Sequence, residues 1–199
     1  MSTNFVPPLA ATEWHRAWER DAIEEVIVVD HNDQSLGTAG KLEVHRTGQL
    51  HRAFSILVFN SQGDLLLQRR ADGKYHFACC WSNTCCGHPR PDETVLSAAC
   101  RRLQEEFGIA VALIERTQFV YRAEDAHSGL IEHEYLHMFY GAYNGSPHPE
   151  PSEIGAWRWM PIPAIQRALH AHPQWFTPWF HLLMDKLLID HPHNFIPAH

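Results

Sequence analysis

Glu132 and Glu134 stand two residues apart in the stretch EHEYLHMFY. In an extended chain alternate side chains share a face, which puts these carboxylates about 7 Å apart along the backbone. Carboxylates that close repel unless a cation or a proton lies between them. Both could face water. Leu136, Met138 and Tyr140 continue the same face, however, and mark it as the buried one. Buried carboxylates need compensation. His45, His51 and His88 are candidate partners: His51 opens the apolar run HRAFSILVF, His45 lies six residues earlier, and His88 follows Gly87. Each histidine by itself also reads as structural. Three imidazoles and two carboxylates together would make a five-ligand divalent site with room for one more ligand. Spacing leaves their convergence open.

A second chemical stretch is NTCCGHPRPDET, residues 83–94. Its Cys85–Cys86 pair could be a metal clip, a core pair, or one reactive thiol beside a bystander. The chain has five cysteines, at positions 79, 80, 85, 86 and 100. An odd count in a chain of this size does not read as a disulfide framework. A zinc site from Cys79, Cys80, Cys85 and Cys86 is disfavoured, because adjacent side chains diverge and the spacing is unlike zinc ribbons.

These residues need elements to position them. EEVIVVD (24–30) reads as a buried strand and HNDQSLG as a turn. Residues 51–70 are two apolar runs around Ser-Gln-Gly, a β-hairpin. DETVLSAACRRLQEEFG (92–108) reads as a helix stopped by Gly108. At about 100° per residue, Val95, Leu96, Ala99, Cys100, Leu103 and Phe107 share an arc of about 140°. Glu106 lies inside that arc and Glu105 outside it. Arg101 and Arg102 each reach a glutamate four residues on. The plain reading is a solvated face with ion pairs, but Glu106 at the core edge needs a cation or donors. Residues 132–143 and 150–161 give further strands, and IPAIQRALHAHP and TPWFHLLMDKLLID two helices, the second with Pro178 near its start. TEWHRAWERDAIEE could be a helix capped by Thr12 within an N-terminal extension of residues 1–23. Strands interleaved with helices predict an α/β (α+β) sandwich, with residues 24–199 as one domain.

Composition narrows the partners. A formal charge of -7 over 199 residues disfavours non-specific binding to nucleic acid or membranes. No apolar run is long enough to span a bilayer, and the first residues lack a signal-peptide pattern. A cytoplasmic monomer is the expectation.

The helix carries a wider pattern. Gly87, Glu93, Arg101, Leu103, Glu105, Glu106, Gly108 and Ile109 stand in register with the Nudix signature G-x5-E-x7-R-E-U-x-E-E-x-G-U, where U is aliphatic. Arg102 replaces a glutamate of that signature. In Nudix hydrolases this glutamate helps bind magnesium, so its loss argues against hydrolysis and not against the fold. HRAF, NTCCGHP, the altered helix, YRA (121–123), EHE (132–134) and TPW (177–179) together resemble the type 1 isopentenyl-diphosphate isomerases. LGTAGKLEVH and RRADGK fit the same pattern, and the resemblance covers about residues 24–185.

That resemblance implies a Nudix-like mixed-sheet sandwich flanked by helices. It also implies interconversion of isopentenyl and dimethylallyl diphosphate, small isoprenoid diphosphates. Cys86 and Glu134 would be the two acid/base groups, with Tyr121 assisting Glu134 and Trp179 facing the carbocation. His45, His51, His88, Glu132 and Glu134 would bind one divalent metal, manganese, magnesium or zinc. A second ion, Mg2+, would bridge Glu106 and the diphosphate near the Cys86 backbone. Lys41, Arg70, Lys74 and Arg102 would meet the diphosphate. If residues 84–88 are extended, Cys86 points with His88 and Cys85 points away. Cys79 and Cys80 are expected to pack. The rival readings are a Nudix hydrolase of a nucleoside or isoprenoid diphosphate, and a non-catalytic binding module.

Overall fold

The computed structural model describes residues 24–74, 77–126 and 128–190. The extension at 1–23, and all but the end of the helix read near Thr12, lie outside the described residues. The chain runs β1 (Glu25–Val29), β2 (Ser35–Gly40), α1 (Lys41–Thr47), β3 (His51–Phe59), β4 (Leu65–Arg70), β5 (Trp81–Ser82) and β6 (Cys85–Gly87). It continues with α2 (Val95–Phe107), β7 (Leu113–Glu124), β8 (Ile131–Ala142), β9 (Ile154–Met160), α3 (Ile162–Ala171) and α4 (Pro178–Asp190).

Strand β3 is the spine. It pairs in parallel with β8 from His51↔Glu134 to Phe59↔Ala142, and β8 pairs antiparallel with β7. The β3–β4 hairpin forms as expected, but its strands meet only at Phe59↔Leu65. Beyond that point they splay, and residues 81–87 fill the gap. Strand β5 pairs with β4, and β6 pairs with β3 through Ser55↔Cys86. Thr84 stitches the wedge: its hydroxyl donates to Leu66 O at 2.7 Å and accepts from Val58 N at 2.9 Å. Buried backbone groups left open by the splay thereby find partners.

The run HRAFSILVF is apolar on both sides because both faces of β3 are covered. Phe54, Ile56 and Val58 pack with Ala98, Ala99, Leu103 and Phe107 of α2. Ala53, Leu57 and Phe59 pack with Ile165 of α3 and with Phe180, Leu183 and Leu187 of α4. The result is the expected α+β sandwich, a mixed sheet between helices. Among the described residues no helix is long and apolar enough to cross a membrane.

Several expectations are corrected. The predicted turn HNDQSLG is shorter, since Ser35 already begins β2. Helix α1 and strand β7 had no clear periodic signal: α1 has only seven residues, and much of β7 is half-exposed. Helix α2 begins at Val95 and not at Asp92, because Asp92 takes φ 65° and the Thr94 side chain caps Ser97 N at 3.2 Å. Its buried face is also turned from the predicted arc. Leu96 is 47% exposed and Cys100 is exposed, while Ala98, outside the arc, is buried; Glu106 is buried as its place in the arc implied. Periodicity fixes the width of an apolar stripe, but the neighbouring surface sets its rotation. Here the neighbour is β6, where Gly87 leaves room. A Cβ at Gly87 would sit 3.0 Å from Phe54 Cζ and 3.5 Å from Arg102 Cγ.

Glu93 ties the loop before α2 to the helix. Arg101 Nε and Nη2 donate to its two oxygens at 2.8 and 2.7 Å. These bonds hold the Glu93 carboxyl below its ordinary value. A depressed folded-state value contributes stability above the unfolded value, and that stability is lost as pH falls through the folded one. Glu93→Gln should therefore cost about 1 kcal/mol at neutral pH, with the gap closing in acid. Thermal melts of both proteins across the acid range check this.

Candidate active site and metal centre

A single line across three strands builds the centre. His51 on β3 pairs with Glu134 on β8, and Glu134 pairs in turn with Tyr121 on β7. Cross-strand partners share a face, so the three side chains meet. Glu132 lies two residues before Glu134 on that face, as the alternation predicted, and both are buried. His45 arrives from the last turn of α1 and His88 from the residue after β6. The ligand atoms of His45, His51, His88, Glu132 and Glu134 all lie within 4.8 Å of one another.

The imidazoles are aimed by backbone carbonyls. His45 Nδ1 is 2.6 Å from Lys41 O, and His51 Nδ1 is 2.9 Å from Gln49 O. A carbonyl only accepts, so each Nδ1 carries a hydrogen and each Nε2 points inward; against burial, Glu132 raises the His45 imidazole. His51 Nε2 lies 3.2 Å from His88 Nε2, which is 3.1 Å from Glu134 Oε1. His45 Nε2 is 3.2 Å from Glu132 Oε2. Burial, reinforced by His45, lowers His51 to about 3. Burial and His51 hold His88 well below its ordinary value. Burial and the neighbouring Glu132 push Glu134 well above the carboxylate range. Two close, buried carboxylates carry charge that must be offset by a proton or a cation, and imidazole nitrogens aimed at them suit a divalent cation. The donor set fits such an ion.

Glu134 divides its oxygens. Oε1 faces the histidines, while Oε2 accepts from Tyr121 OH at 2.8 Å. Burial and Glu134 raise the Tyr121 phenol well above its ordinary value, so it remains a donor. Beside this pair opens a cavity of about 260 Å³. Cys86, Glu106, Lys41, Arg70, Lys74, Arg102 and Trp179 line it together with His88, Tyr121, Glu132 and Glu134.

The paired cysteines diverge as the extended geometry requires. Cys85 is buried against the α2 side of the sheet, and Cys86 packs on the α4 side. Cys86 Sγ donates to Asn83 Oδ1 at 3.2 Å and lies 3.3 Å from Ser55 Oγ. Burial pushes its thiol up to about 12, against the lowering effect of those two bonds. Cys79 is buried in its own right, Cys80 is half-buried, and all five cysteines are free. The Trp179 ring meets Phe77 edge to face, with centroids 5.2 Å apart, and has the Arg70 guanidinium 5.5 Å from its centre.

At the other end the cations are held by carboxylates. Arg102 Nη2 donates to Glu106 Oε1 at 2.5 Å and lies 3.4 Å from Glu153 Oε2. Lys74 pairs with the same Glu153, and Lys41 with Glu24 at 2.8 Å. Burial raises Glu106, opposed by Arg102. Burial lowers Lys74, opposed by Glu153. Glu153, Gln68, Ser55 and Asn83 were not anticipated. Glu153 sits in a turn just before β9, which starts at Ile154 and not at residue 150 as the sequence predicts, and Gln68 lies in the apolar strand β4.

Residues 49–181 match the family model of the NUDIX domain. The isopentenyl-diphosphate Delta-isomerase of Halorhodospira halophila is 51% identical over 82% of this chain and 95% of its own length. That of Burkholderia multivorans is 46% identical over 82% of this chain and 92% of its own. Among solved structures, DR0079 from Deinococcus radiodurans superposes with a TM-score of 0.69 at 17% identity, covering 82% of this chain and 98% of that one, a likeness of fold. With the model matching two-thirds of the chain and such relatives spanning most of it, the chain belongs to the NUDIX superfamily and, within it, to the isopentenyl-diphosphate Delta-isomerases.

Proposed function

We propose that this chain interconverts isopentenyl and dimethylallyl diphosphate by proton transfer at the cavity between Cys86 and the Tyr121–Glu134 pair. The observation that carries the reading is their convergence on one cavity with Trp179 and with His88, Glu132 and Glu134 of the His/Glu cluster. An alkene is a weak base, and its protonation leaves a tertiary cation. The reaction therefore needs a donor, an acceptor and a site that excludes water. The donor is the Glu134 carboxyl, supported by the Tyr121 hydroxyl on Oε2. The acceptor is Cys86 as its thiolate, its own proton released to solvent beforehand; it takes the proton from the neighbouring carbon as the double bond re-forms. The Ser55 hydroxyl is placed to stabilise the sulfur as it changes charge. Trp179 presents a π face to the cation between them.

His45, His51, His88, Glu132 and Glu134 would hold one divalent cation, and three imidazoles favour manganese or zinc there over magnesium. Glu106 would hold Mg2+ jointly with the diphosphate. When bound, these ions supply positive charge that offsets the carboxylates and the diphosphate and favours ionisation of the Cys86 thiol. Arg102, Lys74, Arg70 and Lys41 orient the diphosphate.

Incubation with isopentenyl diphosphate in heavy water should yield dimethylallyl product carrying deuterium. Release of phosphate in place of isomerisation would favour the Nudix hydrolase reading. Arg102→Glu restores the glutamate of the hydrolase signature. It should weaken substrate binding by about tenfold or more, since a charge-assisted bond is lost and a repulsive carboxylate added. It should not create efficient diphosphate cleavage. KM and phosphate release, measured side by side, check both halves.

A further inference from the structure

The stretches WSNTCC and TPW contain Ser82, Asn83 and Thr177, which the reaction as described leaves without a role. All three are buried. Trp179 Nε1, a donor only, donates to Ser82 Oγ at 2.9 Å. Ser82 Oγ donates to Asn83 Oδ1 at 3.0 Å. Ser82 has one hydrogen, so Thr177 must be the donor in the 2.9 Å contact between their hydroxyls. Asn83 Nδ2 donates to Ile56 O at 3.1 Å and to Cys85 O at 2.9 Å. Those two bonds fix the amide, and its Oδ1 faces both Ser82 and Cys86. The Cys86 thiol donates to that oxygen at 3.2 Å. With the thiol hydrogen committed there, Ser55 is the donor to sulfur in their 3.3 Å contact. From the indole to the thiol, each hydrogen has one acceptor. A buried network satisfied in this way holds one arrangement.

We propose that Ser82 is a positioning residue that locks the Trp179 ring over the cation and, through Asn83, ties that ring to the resting Cys86 thiol. The proposal rests on the isomerase reading above. The attraction between a cation and a ring depends on the cation lying over the ring face. The indole N–H bond is directional, whereas the ring's contacts with Phe77 and Arg70 are looser. Loss of the Ser82 hydroxyl would let the ring tilt; Arg70 lies over that ring and also meets the diphosphate, so the effect is read as the ratio of cation to diphosphate affinity.

The test compares the full-length wild type, Ser82→Ala and Ser82→Thr in magnesium buffer by titration calorimetry. The probes are inorganic diphosphate and a short alkyl diphosphate ending in a tertiary ammonium, which imitates the cation. Ser82→Ala should lose about tenfold in affinity for the ammonium probe, with inorganic diphosphate bound as in wild type. Ser82→Thr keeps a hydroxyl and should hold both affinities. An unchanged ratio of the two affinities in Ser82→Ala, or an equal loss of both, overturns the proposal. If Ser82→Ala is not recovered folded, Ser82→Cys keeps the volume with a weak acceptor and is read by the same ratio. Turnover of isopentenyl diphosphate by wild type separates the two readings. Its absence sinks the isomerase assignment, while an active wild type with an unchanged ratio in the variant sinks only the role of Ser82.

Discussion

Cys86→Ala should lower turnover of isopentenyl diphosphate by at least about 10²–10⁴-fold, the range for one general acid–base group. Cys85→Ala should leave it near wild type. The two thiols are chain neighbours with the same chemistry, yet they lie on opposite faces of the sheet. Cys86 lines the cavity, and Cys85 is buried among Phe54, Ala99 and Leu103. Losing the Cys85 sulfur removes packing and a long bond from its thiol to Cys86 O at 3.9 Å, worth about 1 kcal/mol of stability. Cys86→Ser keeps the hydrogen-bonding shape but raises the proton affinity of the group, so a weak residual activity is expected. Burial already holds the free Cys86 thiol up to about 12. A cysteine-directed alkylating agent should therefore act slowly at neutral pH, and bound substrate should protect against it. Initial rates of deuterium incorporation for the variants decide the matter. An inactive Cys85→Ala beside an active Cys86→Ala would reverse the assignment.

The second large effect concerns the metal cluster. Protein purified without chelator should carry about one tightly bound transition-metal ion per chain, and His88→Ala should lose it. His88 Nε2 sits between His51 Nε2 at 3.2 Å and Glu134 Oε1 at 3.1 Å, so it is central to the cluster. Its removal also strips a partner from the carboxyl assigned as proton donor. A loss of the order of 10²-fold or more in turnover is expected alongside the loss of metal. His133 offers a control on the same strand. It faces away from the cluster, with Nδ1 2.8 Å from Gly48 O. His133→Ala should retain the ion. Elemental analysis of the variants gives the answer, and unchanged metal content in His88→Ala would remove that residue from the site.

The sequence by itself determined whatever depends on short-range geometry. The two-residue alternation from Glu132 to Tyr140 put both carboxylates on the buried face, and the structure keeps them there. Extended geometry at 84–88 separated Cys86 from Cys85. Helical spacing paired Arg101 with Glu105 and Arg102 with Glu106, and the signature around that helix identified the fold. These relations hold within a few residues, where bond geometry leaves one answer.

What the tertiary structure alone decided depends on contacts between distant segments. The hairpin of β3 and β4 had to splay before residues 81–87 could enter the sheet. Only the parallel register of β3 with β8 brings His51 opposite Glu134, across 83 residues of chain. The rotation of α2, which buries Ala98 and exposes Leu96, follows from its packing on β6 at Gly87. Glu153 joins Lys74 and Arg102 from a stretch with no pattern of its own. Local sequence sets which face a side chain occupies. The balance of burial and polar satisfaction across the whole sheet sets which faces meet.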